Sequence, residues 1–262
     1  MESIYLDIAG FNIKLVFHKT EIMFLGGISR DEIARNYRGF ISNKKQKKTD
    51  FLLEFIGANN ITTTKKNFSV SICFYEEGYK DQIITYYHIS STQFVLIIRN
   101  IVEKLLKNDG FIIHCSACNI NGKANVFIGP SGAGKSTIVS LLYSQYPILA
   151  DDIGIIKREG GNYYFYQTPF LEKNNFPKHC KRYPIDHIFF LQKAKECKIL
   201  KIIQKENIFE QIANQVWTES REYEKERMLF LFNFFKKFNR YSHLFFSMNS
   251  KILIKLLSDL HV

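Results

Sequence analysis

Three groups of residues in this chain have the types and spacing that catalysis on phosphates requires. The first is Gly129-Pro130-Ser131-Gly132-Ala133-Gly134-Lys135-Ser136, which fits the pattern G-x-x-x-x-G-K-[ST]. Glycines at 129, 132 and 134 let the backbone curl until several N–H groups face one anion. A helix opening near Lys135 adds the positive end of its dipole. In such a cradle Lys135 reaches the outer phosphates of a nucleotide, and the Ser136 hydroxyl is placed to hold Mg²⁺. A glycine-rich turn that only caps a helix is the plainer alternative. The complete motif, with a strand before it and a helix after it, speaks against that alternative.

The second group is Asp151 and Asp152, which close a short apolar segment, Ile148–Ala150. A right-handed β–loop–α–β crossover puts two strands in one sheet with their C-terminal ends on one edge, so the acids arrive beside the glycine curl. Paired acids there suit transfer to a hydroxyl, one helping to bind Mg²⁺ and the other taking the proton. An exposed acidic turn opening a hairpin is the alternative. The third group is His114, on the apolar strand Phe111–Ile120. A lone histidine on such a strand is most often a satisfied core residue, but near phosphates it can orient an Asp or contact phosphate oxygens.

Elements must position these groups, and the residue pattern supplies them. Short strands at 4–8, 12–17, 22–25, 51–56, 68–74 and 83–89 and one helix at 31–40 make residues 1–91 a small β-rich region. Lys44, Lys45, Lys47 and Lys48 read as a loop tip. From Thr92 the pattern changes: Phe94, Ile97, Ile98, Ile101, Leu105 and Leu106 recur at helical spacing. Strands 111–120 and 124–128 flank the hairpin signature Asn121-Gly122. A helix from Ser136 to about Tyr146 leads to the strand 148–150. A hairpin (153–157 and 163–167), a strand (186–191), a helix (220–238), a strand (241–247) and a helix (251–260) complete an α/β unit over residues 92–262. Trp217 has no assignable role.

The chain has 262 residues, 46% of them hydrophobic and 23% charged, which is ample for a buried core. No apolar run reaches the roughly 18 residues that span a bilayer. No basic region followed by an apolar stretch marks the N-terminus as a secretory signal. The five cysteines therefore read as reduced thiols in a cytoplasmic protein. Its formal charge of +11 attracts nucleotides, phosphorylated ligands or acidic partners, or reflects a composition rich in Lys, Asn, Ile and Phe. No membrane or nucleic-acid partner is expected.

Taken in order, His114-Cys115-Ser116-Ala117, Asn121-Gly122-Lys123, Gly129 through Thr137, Leu149-Ala150-Asp151-Asp152 and Thr168-Pro169-Phe170 form a string that resembles the C-terminal catalytic domain of HPr kinase/phosphorylase. That family includes smaller relatives such as the serine kinases found with lasso-peptide biosynthesis. The resemblance implies a P-loop kinase domain of the type shared with ATP-dependent phosphoenolpyruvate carboxykinases, a mixed sheet with flanking helices. It implies ATP and Mg²⁺ as cofactors, with residues 129–137 on the nucleotide. Ser136, Asp151 and Glu172 fall at the metal, and Lys135, His114 and Asp152 are catalytic, Asp152 as general base. It also implies a serine-bearing protein, peptide or small-molecule acceptor, and raises a homo-oligomer, since hexamers are known in the family.

Departures from that family are specific. Thr137 stands where the HPr kinases usually have Glu, and no arginine aligns with their downstream catalytic one, leaving Arg182, Arg221 and Arg227 as candidates. Residues 1–91 do not resemble the regulatory domain of the bifunctional enzyme. These differences disfavour HPr itself and the reverse phosphorolysis. A nucleotide-binding regulatory module that transfers nothing, and a kinase of free serine or a similar small molecule, are the alternatives. Cys115-x-x-Cys118 with His179-Cys180 has the spacing of zinc ligands, but residues three apart on a strand face opposite ways, and the cysteines read as small core side chains.

Overall fold

The computed structural model describes residues 2–18, 28–42, 48–56, 76–79, 81–86, 89–170, 175–202, 208–218 and 223–260. They form a mixed α/β structure that divides into two compact units, residues 1–105 and 106–262. In the first, the alternating segments 2–17 fold into a hairpin of β1 (Glu2–Ile8) and β2 (Phe11–Phe17), turned through the left-handed pair Ala9-Gly10. After α1 (Arg30–Asn36), capped by Ser29, come β3 (Phe51–Ile56), β4 (Glu76–Tyr79), β5 (Gln82–Tyr86) and α2 (Ser91–Leu106). The sheet order is β1-β2-β3-β5-β4, with β2, β3 and β5 parallel.

Aromatic packing explains why α2 goes with this unit although the sequence pattern drew the division at 91/92. Phe94 on α2 meets Tyr37 edge-on at 5.3 Å and lies 6.1 Å from Phe55. The helix expected over 31–40 stops at Asn36 and tightens into a 3₁₀ turn at Arg38–Phe40. The expected strands 22–25 and 68–74, with Lys44, Lys45 and Lys47, lie outside the described residues.

The second unit begins with β6 (Gly110–His114), β7 (Ser116–Ile120), β8 (Lys123–Ile128), α3 (Lys135–Leu142), β9 (Ile148–Ala150), β10 (Ile153–Glu159) and β11 (Asn162–Tyr166). It continues through β12 (Arg182–Lys193), β13 (Lys198–Lys201), α4 (Ile208–Ala213), β14 (Val216–Trp217), α5 (Glu224–Lys237), β15 (Tyr241–Phe246) and α6 (Ser250–Asp259). These strands make one sheet in the order β14-β6-β10-β11-β12-β8-β7-β9, with β15 added beside β12 and β13 beside β15.

Period-two alternation sorts its side chains to two faces. Val126, Ile128, Ile188 and Phe190 pack with Phe230 and Phe234 of α5, while Phe127, Phe189 and Leu191 pack with Ile138 of α3 and Leu253 of α6. Helices therefore cover the sheet on both sides.

One expectation is corrected at a point that matters for function. The apolar run 111–120 is two strands, broken at Cys115. Before the break β6 pairs with β10 and β14; after it β7 pairs with β8 and β9. The run contains no Gly or Pro to mark the break, because its cause is a change of neighbours. The helix α3 is also shorter than expected, ending at Leu142. No described helix is long and apolar enough to cross a membrane.

Candidate functional site

Strand directions bring the chemically equipped residues to one edge of the sheet. β7 is antiparallel to both β8 and β9, so those two run parallel with β7 between them. On its other side β8 has β12, again parallel. The C-terminal ends of β8, β9 and β12 thus share an edge, the edge where open α/β sheets hold their ligands. Gly129 follows β8, Asp151 follows β9, and Lys193 ends β12.

Between β8 and α3 the glycine-rich segment turns back through two left-handed residues, Gly132 (φ 81°) and Gly134 (φ 105°). Gly134 is also the N-cap of α3, and no side chain caps that helix, which leaves its first turn open to an outside acceptor. A Cβ at 134 would come within 2.6 Å of Phe246, and one at 129 within 2.8 Å of Ala133, so the curl is packed from behind. Lys135 folds over it: Nζ donates to the Gly129 carbonyl at 2.6 Å and to that of Pro130 at 3.3 Å.

The acids stand where the chain crosses between the two halves of the sheet. His114-Cys115-Ser116 and Asp151-Asp152-Ile153 run side by side there. The Cys115 N–H donates to the Asp152 carbonyl at 3.0 Å, the Ser116 hydroxyl reaches the Asp151 carbonyl at 3.4 Å, and His114 faces Ile153 across the ladder. This register sets His114 Nε2 3.0 Å from Asp152 Oδ1. Asp151 is buried, and the side chain of Asp152 is 27% exposed. On the far side, the backbone N–H of His114 donates to the Gln215 carbonyl at 2.7 Å. The Trp217 ring stacks on the imidazole at 5.9 Å and 18°.

A cleft of about 520 Å³ opens over this edge. His114, Ser131, Gly132, Gly134, Lys135, Ser136, Thr137, Asp151 and Asp152, all anticipated from sequence, line it; Gly129, Pro130 and Ala133 form the loop behind that lining. Glu172 and Arg221 lie outside the described residues. Arg182 sits at the opposite end of β12, ion-paired with Glu159, and Arg227 is buried on α5; neither lines the cleft.

Sequence reasoning missed Lys193 and the wall Asn214–Trp217. The expected strand 186–191 stops two residues before the end of β12 at Lys193, and β14 has only two residues, too few for any period to register. The single tryptophan was the one available signal.

Chemically, uncapped amides and a lysine suit phosphate, while hydroxyl and carboxylate oxygens are the hard donors Mg²⁺ takes. Zinc finds no such set. Cys115 and Cys118 are buried, and burial pushes the Cys118 thiol far up, away from the thiolate that zinc needs. His179, lowered by burial and by Lys181, contacts Gln167 and Tyr183 through its ring nitrogens. No three His, Cys, Asp or Glu among the described residues cluster as metal ligands.

The family model described as "SynChlorMet cassette protein ScmC" matches residues 73–236, well over half of the chain and the whole of the cleft lining. No curated protein matches. Among solved structures, the HPr(Ser) kinase/phosphatase from Coxiella burnetii is similar with a TM-score of 0.33 at 10% identity. The match covers 57% of this chain and 95% of that one, a likeness too slight to carry an argument.

Proposed function

The chain belongs to the family of the SynChlorMet cassette protein ScmC, and we propose that it is a kinase that transfers the γ-phosphate of ATP to a hydroxyl group. The acceptor is a protein, peptide or small molecule, with serine the group that the resemblance of the 114–170 string implies. The observation that carries this reading is that Asp152, held by His114 at 3.0 Å, opens on the same cleft as Lys135 and Ser136.

In this mechanism the curl at 129–134 binds the polyphosphate through backbone amides, aided by the start of α3. Lys135 leaves its loop carbonyls for phosphate oxygens as they arrive. Ser136 and Asp151 would hold Mg²⁺, which supplies neutralisation of the phosphate charge when bound. Asp152 accepts the proton of the attacking hydroxyl, whose oxygen bonds to the γ-phosphorus as the bond to the leaving ADP oxygen breaks. His114 keeps the carboxylate turned toward the cleft and can take its proton afterwards. Trp217, stacked on the imidazole, limits the directions in which that ring can point.

The test uses γ-labelled ATP with host lysate, followed by mass spectrometry of whatever carries the label. Asp152→Asn lowers transfer by about 10²–10⁴-fold, the usual worth of a general base, and Lys135→Ala abolishes it. Full transfer by Asp152→Asn removes that residue from the mechanism. Nucleotide binding with no labelled product of any kind refutes the kinase and leaves a nucleotide-binding module. Label in a metabolite pool alone makes the acceptor a small molecule.

A further inference from the structure

Strand order puts a second lysine on the side of the glycine curl opposite the acids. β12 lies next to β8 and parallel to it, with Phe190 facing Ile128, the last residue of β8. Three residues farther on, where β8 has already turned into the curl, β12 ends in Lys193. Asp151 and Asp152 leave the sheet two strands away in the other direction. Three strand spacings, about 14 Å, therefore separate the ends of β12 and β9. That span suits a polyphosphate lying across the edge better than a single phosphate sitting at its centre.

The side chain of Lys193 is directed at the curl. Its Cε is 3.5 Å from the point a Cβ on Gly134 would occupy, so the stem crosses the backbone immediately ahead of Lys135. Lys193 is exposed and lines the cleft, and no carboxylate among the described residues pairs with it. The cleft thus holds two lysines, one folded over the loop carbonyls and one standing at the loop's outer side. Of the candidate arginines, Arg182 and Arg227 do not line the cleft, and Arg221 lies outside the described residues.

We propose that Lys193 binds the non-transferred phosphates of the nucleotide, the α,β pair that leaves as the diphosphate, and so sets the nucleotide across the sheet edge with its γ end toward Asp152. The proposal rests on the kinase reading above and adds a direction to it. With the β,γ bond breaking, negative charge gathers on the departing diphosphate oxygen. An ammonium on that side stabilises the change in the transition state more than in the ground state.

The experiment is calorimetric binding of ADP and of ATP, each with Mg²⁺, to the whole chain and to Lys193→Ala and Lys193→Arg. A charge-assisted contact to the diphosphate predicts that Lys193→Ala weakens both nucleotides by the same factor, about tenfold. Lys193→Arg restores both to within about twofold, since the charge persists. Unchanged thermal unfolding of Lys193→Ala is expected for an exposed side chain and shows that the loss is local. A loss confined to ATP places the lysine at the γ-phosphate and overturns the proposal, as does equal binding by the alanine variant and the parent chain. In either of those outcomes the kinase reading stands. A parent chain that binds neither nucleotide refutes both.

Discussion

Replacing Gly134 by alanine tests the curl without reference to any substrate. Two terms add at this position. The backbone sits at φ 105°, outside the range L residues normally adopt, and holding alanine there costs about 1–3 kcal/mol. The new Cβ would also lie 2.6 Å from Cζ of Phe246, which is buried among Leu244, Leu253 and Leu257 and has little room to retreat. Overpacking of that kind costs about 1–3 kcal/mol more. Gly132 is the internal control, because it shares a positive φ of 81° but a Cβ there would meet nothing within 4 Å. Gly132→Ala should therefore show the backbone term alone. Thermal unfolding followed by circular dichroism reads the difference. At about 2–4 °C per kcal/mol for a domain of this size, Gly134→Ala melts several degrees below Gly132→Ala. Placing Gly134→Ala in a Phe246→Leu background should recover about 1 kcal/mol of the excess as a coupling between the two sites. Equal melting shifts for the two glycine variants, or no coupling with Phe246, would refute the claim that the curl is packed into shape from behind.

Other consequences concern the cleft wall and the far end of β12. On the proposed kinase reading, Trp217→Ala should lower kcat with little change in the KM for ATP, because the indole stacks on His114; Trp217→Phe, which keeps a stacking ring, should restore most of the rate. Trp217 is the only tryptophan in the chain, so its emission should change when ATP is added to the parent chain, and unaltered emission where calorimetry detects binding would show that the indole does not report on the cleft. The Glu159 carboxyl, although burial favours its neutral form, is held below its ordinary range by hydrogen bonds from Tyr166, Arg182 and Lys157. A depressed carboxyl stabilises the fold above its unfolded pKa of about 4.3 and loses that contribution as pH falls through the lower folded value. Glu159→Gln should accordingly be less stable than the parent near neutrality, and the gap should close below about pH 4. A stability difference that persists at low pH would mean that packing, not charge, is what the variant loses.

Local chemistry was open to inspection along the chain because it resides in adjacent residues. Gly129 to Ser136 must curl, since glycines stand where the backbone needs positive φ, and Asn121-Gly122 must turn, with φ 52° and 81°. The runs 124–128 and 186–191 were legible as strands from their apolar residues, and the structure adds that helices bury both of their faces. His114 and the two acids could be nominated by type. The resemblance implied that they share one site; their direct contact was not legible, because it depends on a break at Cys115 that no residue signals.

What the amino-acid order determined alone was the glycine-rich curl, its flanking strand and helix, and the acids two strands away. These follow from short-range geometry that each segment carries with it. Tertiary structure decided the rest: the 3.0 Å pairing of His114 with Asp152, the stacking of Trp217 on that imidazole, and the arrival of Lys193 on the far side of the curl. Each of these joins residues tens of positions apart through strand order and register. Such pairings are set by which strands lie side by side and how each face is buried, and that competition is resolved only when the sheet assembles.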